Sequence, residues 1–280
     1  MLAEKANFPI AMMCRILEVS RSGFYDWVSR PPSRQRIRAA SLRRNIRRVH
    51  ETARGVYGSP RVHAQLQREG VEVCRDTVAR LMRAEGLRGK IKRGFKSTTD
   101  SKHPLPIAPN SLNREFDTQT PDSAWCADIT YLRTKAGWVY LAVILDLATR
   151  LVVGWSMATH MRTPLVVSAL MNALSWRKPA GRLLHHSDRG SQYASRELQQ
   201  VLRREGIECS MSRKGNCWDN AVTESFFGTF KQELAFHEDW NGLADARAAT
   251  CDYIESFYNR ERLHSTLGYK TPMEADELAA

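Results

Sequence analysis

The sequence predicts an α/β protein: a mixed five-stranded sheet with flanking helices, preceded by an all-α helix-turn-helix region. Three observations carry this. The first 112 residues space their apolar side chains as helices do, and hold 23 Lys and Arg against 9 Asp and Glu. From Ser123 the hydrophobic period switches to two. Beyond Thr163, helix-like and strand-like segments alternate, as in a sheet covered by helices.

Segment 1–32 reads as a short helix, a turn and a second helix. Ile10, Met13 and Leu17 fall at helical spacing, Ser20 is placed to cap the next helix, and Phe24 and Trp27 repeat at i and i+3. Pro31 and Pro32 end the unit. Residues 33–87 read as a second helical domain. Leu42, Ile46, Val49 and Ala53 make one apolar stripe, and Arg43, Arg44, Arg47 and Arg48 coat the other faces. Val62 and Leu66 mark a helix ended by Gly70. Asp76 or Thr77 caps a last helix with Val78, Leu81 and Met82 inside and Gly86 after its end. Two short helices on a tight turn, behind a supporting helix, resemble a helix-turn-helix. Its last helix would turn Arg75, Arg80 and Arg83 toward a DNA major groove. A plain three-helix bundle with solvated arginines is the competing account.

Residues 88–120 read as a basic, proline-containing linker. RGKIKRGFK brings Lys90, Lys92 and Arg93, suited to tracking a phosphate backbone, and Pro104, Pro106 and Pro109 follow.

A sheet-containing core with a helical extension is expected over 121–280. Trp125, Ala127, Ile129 and Tyr131 point one way along the first strand, Cys126, Asp128 and Thr130 the other, giving one packed face. Lys135–Gly137 turn the chain. Val139–Leu147 reads as a central strand and Leu151–Ser156 as a third, antiparallel throughout. Thr163–Trp176 is helical, Gly181–Asp188 a strand, Ser195–Gly206 a helix and Ile207–Met211 a fifth strand. Asp219 or Asn220 caps a long helix reaching about Ala235. The order β-β-β-α-β-α-β-α is the ribonuclease H-like pattern.

Composition narrows the function. The 280 residues carry a net charge of +12, concentrated in the first 112; the remaining 168 hold 19 Lys and Arg against 21 acids. A basic part joined to a near-neutral part suggests a polyanion binder coupled to something else. The six cysteines form no CxxC pair, and His50, His63 and Cys74 lack a further ligand at zinc spacing. No apolar run approaches the roughly 20 residues of a bilayer span, and no signal peptide is evident, so a cytoplasmic protein with no membrane partner is expected.

Asp128, Asp188 and Glu224 stand out among 30 acids. Asp128 is in mid-strand, where Asp has poor propensity. Asp188 ends a strand, where sites of open α/β sheets form. Glu224 lies in the first turns of a helix whose Phe226, Phe227, Phe230 and Leu234 pack inward. Glu224, Gly228 and Lys231 share another face, where Gly228 leaves room for a backbone and Lys231 can neutralise a phosphate. Clustered carboxylates repel one another unless they hold a cation. Mg²⁺ prefers oxygen ligands, and a pair of ions about 3.5–4 Å apart suits in-line phosphoryl chemistry. Of the rival groups, Asp146 reads as a turn-side partner for Arg150, Glu233 as a solvated face, and His185 and His186 as packed or hydrogen-bonded neighbours of the site.

The strings WCADITYL, HHSDRGSQYAS, KGNCWDNAVTESFFGTFKQEL and FYNRERLHSTLGYKTPMEA make residues 123–275 resemble the catalytic core of the DDE transposases and retroviral integrases. They are most similar to bacterial insertion-sequence transposases whose catalytic subunit comes from the second of two overlapping reading frames. The 35 residues between Asp188 and Glu224 match that family's D,D(35)E spacing, and Lys231 matches its basic residue seven positions later. YGSPR and its helices resemble the family's DNA-binding region, while the zinc-binding HHCC module of retroviral integrases is missing. The resemblance implies Asp128, Asp188 and Glu224 as catalytic, metal-binding triad, two Mg²⁺ ions with Mn²⁺ able to substitute, and cleavage at the 3′ end of the element followed by attack of the freed 3′-hydroxyl. It implies double-stranded DNA partners (terminal inverted repeats and target), a homo-oligomer on DNA, an upstream-frame partner or fusion, and a bacterial, nucleoid-associated location. A structure-specific nuclease on this fold, or an inactive DNA-binding regulator of transposition, are the alternatives.

Overall fold

The computed structural model describes residues 1–90, 106–112, 120–179, 181–213 and 220–279; Lys92, Arg93, Pro104 and Asp219 lie outside the described residues. Helices α1 (Ile10–Ile16) and α2 (Arg21–Ser29) open the chain, and the Ser20 hydroxyl accepts the Gly23 N–H at 3.0 Å as the capping pattern requires. They bury Cys14 and Phe24 but leave Phe8, Met12, Ile16, Leu17 and Trp27 exposed. Helices α3 (Arg34–Thr52), α4 (Ser59–Arg68) and α5 (Arg75–Ala84) pack around Ile46, Val49, Val62, Leu66, Val78 and Leu81. Gly70 and Gly86 follow α4 and α5 with φ of +76° and +70°, the left-handed turn that ends a helix. The start of α5 differs from expectation. Its cap position is Cys74, so Asp76 sits inside the first turn, where its charge favours the helix dipole without capping it.

Strands β1 (Ala124–Thr134), β2 (Gly137–Asp146) and β3 (Val152–Ala158) form an antiparallel meander. β4 (Leu184–Ser187) joins β1 in parallel and β5 (Glu208–Met211) joins β4, giving the order β3-β2-β1-β4-β5. One sheet face is covered by α6 (Thr163–Arg177) and α7 (Arg196–Arg204), which bury Trp125, Ala127, Ala142 and Ile144. α6 lies close on β3 because Gly154 has no side chain: a Cβ there would stand 2.5 Å from the Ala169 carbonyl oxygen. The opposite face is covered by α8 (Ala221–Glu233), whose Phe226, Phe227 and Phe230 pack on Leu132, Leu141 and Val143.

The expectation of one packed face on β1 holds for its outer half alone, and there the packed face is the opposite one. Ala124 to Ala127 are buried on both faces, because β1 is the middle strand with helices above and below. Farther along, Leu132 is buried at 3% exposure and Tyr131, on the face expected to pack, is 38% exposed.

Residues 240–262 pack on the core. α9 (Leu243–Cys251) continues as a π-helical stretch over Asp252–Tyr258, and Trp240, Ala246, Tyr253, Ile254 and Phe257 join the cluster beneath α8. Helix α10 (Pro272–Ala279) follows. This cluster also contains the apolar residues of α3–α5, so the helical region and the sheet share one interior. The Tyr57 hydroxyl donates to the Glu261 carbonyl at 2.9 Å and accepts the Leu263 N–H at 2.8 Å, and Arg61 donates to the Leu263 carbonyl at 2.9 Å.

Two acids depart from their expected roles. Glu233 is 8% exposed and paired with Arg262, because residues 253–262 cover the side of α8 that local spacing left to solvent. Asp146 is fully buried and accepts the Asp122 N–H at 2.7 Å and the Thr149 N–H and hydroxyl at 2.9 and 3.0 Å. Arg150 meets it through its backbone N–H on the Asp146 carbonyl.

Candidate active site

The strand register brings the two aspartates together. Parallel pairing of β1 and β4 runs Ala124 with Leu184 through Ala127 with Ser187. One step farther the same register sets Asp128 beside Asp188, and neighbouring strands lie about 4.8 Å apart. Side chains alternate along a strand, so both carboxyls emerge on the Cys126 and His186 side, the face that α8 covers. β4 stops at Ser187 because the chain turns there. The Gly190 N–H donates to Asp188 Oδ1 at 2.8 Å, and a Cβ on Gly190 would stand 2.9 Å from that oxygen. The Ile129 N–H donates to Asp128 Oδ1 at 2.7 Å. Each aspartate is thus oriented by a neighbouring backbone group.

Glu224 is carried over this face by the first turn of α8, and Lys231 by its last. The phenylalanine stripe fixes the helix rotation, since Phe226, Phe227 and Phe230 are all buried. Lys231 is 5% exposed, with its ammonium 5.0 Å from the centre of the Tyr131 ring.

The electrostatics show convergence. Burial pushes the Asp128 carboxyl well above the usual carboxylate range; the Asp188 charge pushes it further and Glu224 adds to that, while the Ile129 N–H and Lys231 oppose. Burial raises Glu224 as well. Burial lowers Lys231 to about 8, with Asp128 holding it up. Among the described residues no three His, Cys, Asp or Glu side chains already stand at metal-holding distance. The carboxylates therefore approach one region without closing on a common point. Their donors are all hard oxygens, and a cation would relieve the repulsion recorded at Asp128, so residues and metal fit chemically.

Both neighbouring histidines are interior groups. His186 Nδ1 lies 2.8 Å from the Ser210 hydroxyl. Burial, then the charge of His186, lowers His185 to about 4, and its ring packs at 6.1 Å on Tyr193. Tyr193 escaped the sequence reading. Its hydroxyl is buried without a hydrogen-bond partner among the described residues, and burial and then the charges of Asp128 and Asp188 raise its pKa. Its place in DRGSQY, five residues after Asp188, was the available signal.

The remaining basic candidates divide. Arg75, Arg80 and Arg83 are exposed on α5. Lys90 is half-buried and donates to the Glu233 carbonyl at 2.7 Å, so it is docked on the catalytic half, contrary to a role displayed along a free linker. The end of α8 supplies an acceptor that the local sequence does not reveal.

Comparison with known proteins agrees with this architecture. Residues 118–217 and 205–272 match the integrase core domain family, and residues 37–95 match an HTH-like domain. The insertion element IS600 uncharacterized 31 kDa protein of Shigella sonnei is 44% identical over 260 residues, 93% of this chain and 96% of its own length. Transposase InsF for insertion sequence IS3A of Escherichia coli strain K12 is 41% identical over 276 residues, 96% of this chain and 94% of its own. The HTLV-2 integrase catalytic core domain, solved in complex with magnesium, is 19% identical, with a TM-score of 0.40 over 56% of this chain and 97% of that one. No helix among the described residues is long and apolar enough to cross a membrane. A transposase relative matched over nearly its whole length, with an integrase core behind an HTH-like domain, makes this chain a DNA transposase, a member of the insertion-sequence transposase family.

Proposed function

We propose that Asp128, Asp188 and Glu224 are the catalytic carboxylates of this transposase. The carrying observation is the raised carboxyl of Asp128, which feels both other acids from two different elements. The three residues would hold a pair of Mg²⁺ ions, with Mn²⁺ as substitute, which when bound would activate the attacking oxygen and stabilise the leaving one. Lys231, between Asp128 and the Tyr131 ring, would neutralise a phosphate at the pocket's edge. The first step is hydrolysis at the 3′ end of the element, and the second is attack of the freed 3′-hydroxyl on another phosphodiester.

The helical region would hold the DNA. Exposed Arg75, Arg80 and Arg83 would contact the terminal inverted repeats through α5, with Lys92 and Arg93 on the connecting segment, leaving 33–87 as DNA-binding domain and 121–280 as core. A homo-oligomer bringing two element ends together, target DNA, an upstream-frame partner and a bacterial cytoplasmic setting complete the proposal.

Asp128→Asn, Asp188→Asn and Glu224→Gln should each abolish cleavage and leave DNA binding within about twofold, measured on the element's own ends. Wild-type cleavage by any one of them removes that residue from the site. Pre-cut ends test joining: products of strand transfer separate a transposase from a nuclease, which would cut without joining.

A further inference from the structure

A cleft of about 650 Å³ is lined in part by Lys231, the same side chain that feels the charge of Asp128. Its floor is the outer half of β1. β4 pairs with β1 only as far as Ala127, so among the described residues no strand lies beyond β1 opposite β2 over 128–134. Three aromatic side chains line it with their surfaces in solvent: Tyr131 at 38%, Trp138 at 51% and Phe236 at 57% exposure. Tyr131 and Trp138 meet edge to face at 5.2 Å, which holds both rings in place. Aromatic rings so displayed, at a site that handles DNA, suit stacking on a base.

The need for a free base face decides which DNA. Arg133 and Lys135 line the same cleft, as do Glu238 and Asp239, and Lys135 is paired with Asp239 at 3.1 Å. Arg133 is exposed on the same lining, and Lys231 brings a further cation deeper in, its ammonium over the inner ring. Bases of an intact duplex are stacked on each other and have no face to offer, whereas an unpaired base does.

We propose that this cleft takes unpaired nucleotides next to the phosphodiester being cut, a base against the Trp138–Tyr131 pair and its phosphate toward Lys231. The proposal deepens the catalytic reading above and rests on it for the location of the cut.

The test uses the full chain in magnesium-free buffer, with a short single-stranded oligodeoxynucleotide carrying one 2-aminopurine and, separately, a duplex of equal length. Wild type should quench the probe. Trp138→Ala should abolish the quenching and weaken single-strand binding about tenfold, with duplex binding within twofold, and Trp138→Phe should restore most of both. Retained quenching and affinity in Trp138→Ala overturns the proposal. So does an equal loss on both DNAs that Trp138→Phe does not repair. Asp188→Asn should quench like wild type. Cleavage by that variant once Mg²⁺ is added would sink the carboxylate assignment and leave the stacking result standing.

Discussion

Arg262 grips Glu233 in the interior with two bonds, Nε to Oε2 and Nη2 to Oε1, each 2.8 Å, while the Tyr253 hydroxyl donates to Oε2 at 2.7 Å. The residues are 4% and 8% exposed. Glu233 ends α8, the helix that carries Glu224 and Lys231, so this pair fastens the helix to the C-terminal segment. Removing one partner of such a pair leaves a buried charge uncompensated. Glu233→Ala should cost about 3–5 kcal/mol in urea denaturation. The double change Glu233→Leu with Arg262→Met should cost less than the single one. A single-mutant loss under about 1 kcal/mol would show that water reaches the pair.

The arginines of α5 give a prediction about salt. Each phosphate contact contributes about 0.9 to the slope of log affinity against log salt. Changing Arg75, Arg80 and Arg83 together to Gln should weaken binding to element ends and reduce the slope by about 3. A slope equal to that of wild type would make these side chains structural or solvated.

Metal addition should be visible without any DNA. A ligand at 100 times its Kd stabilises the folded state by about 2.7 kcal/mol. Mg²⁺ should therefore raise the Tm of the wild type and leave that of Asp188→Asn nearly unmoved. In the absence of metal Asp128→Asn should itself melt higher than wild type, since it removes a carboxylate that burial and Asp188 already disfavour. Equal Mg²⁺ shifts in wild type and Asp188→Asn would place the ion elsewhere.

His185 supplies the pH dependence. Its pKa is lowered to about 4 in the fold, against about 6.5 unfolded. A depressed folded pKa means the unfolded chain binds the proton more tightly. The stabilising neutral form is intact above pH 6.5, and its contribution of about 3 kcal/mol is lost as the pH falls to 4. His185→Leu should flatten the stability curve across that window in urea denaturation at graded pH. An unchanged curve would mean that another group governs the acid limb.

Much of this was legible in the chain. The period-two stretch from Ala124, the apolar run of β2 and the capping residues Ser20 and Ser195 are local signals, and local signals locate elements. The convergence of Asp128 and Asp188 was readable because an aspartate in mid-strand and another at a strand's end both stand out against strand propensity. Glu233 and Asp146 were misread for the opposite reason. Their partners, Arg262 and the Asp122 N–H, arrive from 29 and 24 residues away. No periodicity reports a partner at such a distance. Tyr131 was misassigned because alternation names two faces without saying which one the helices will cover. The aromatic cleft was invisible for a related reason: it exists because β4 is shorter than β1, a property of neither strand alone.

The doubly bonded hydroxyl of Tyr57 has a mechanical consequence. It ties the helices of the basic half to the backbone at Glu261 and Leu263, over an apolar interior that both halves build jointly. Helix α5 and the carboxylate pocket are then fixtures of a single solid, like two jaws forged on one handle. On the proposed roles of α5 and the carboxylates, the interval along the double helix between the bases touched and the bond severed would be gauged by the protein's own girth, and an element whose terminal sequence slips by a base pair would present the wrong phosphate to the blade.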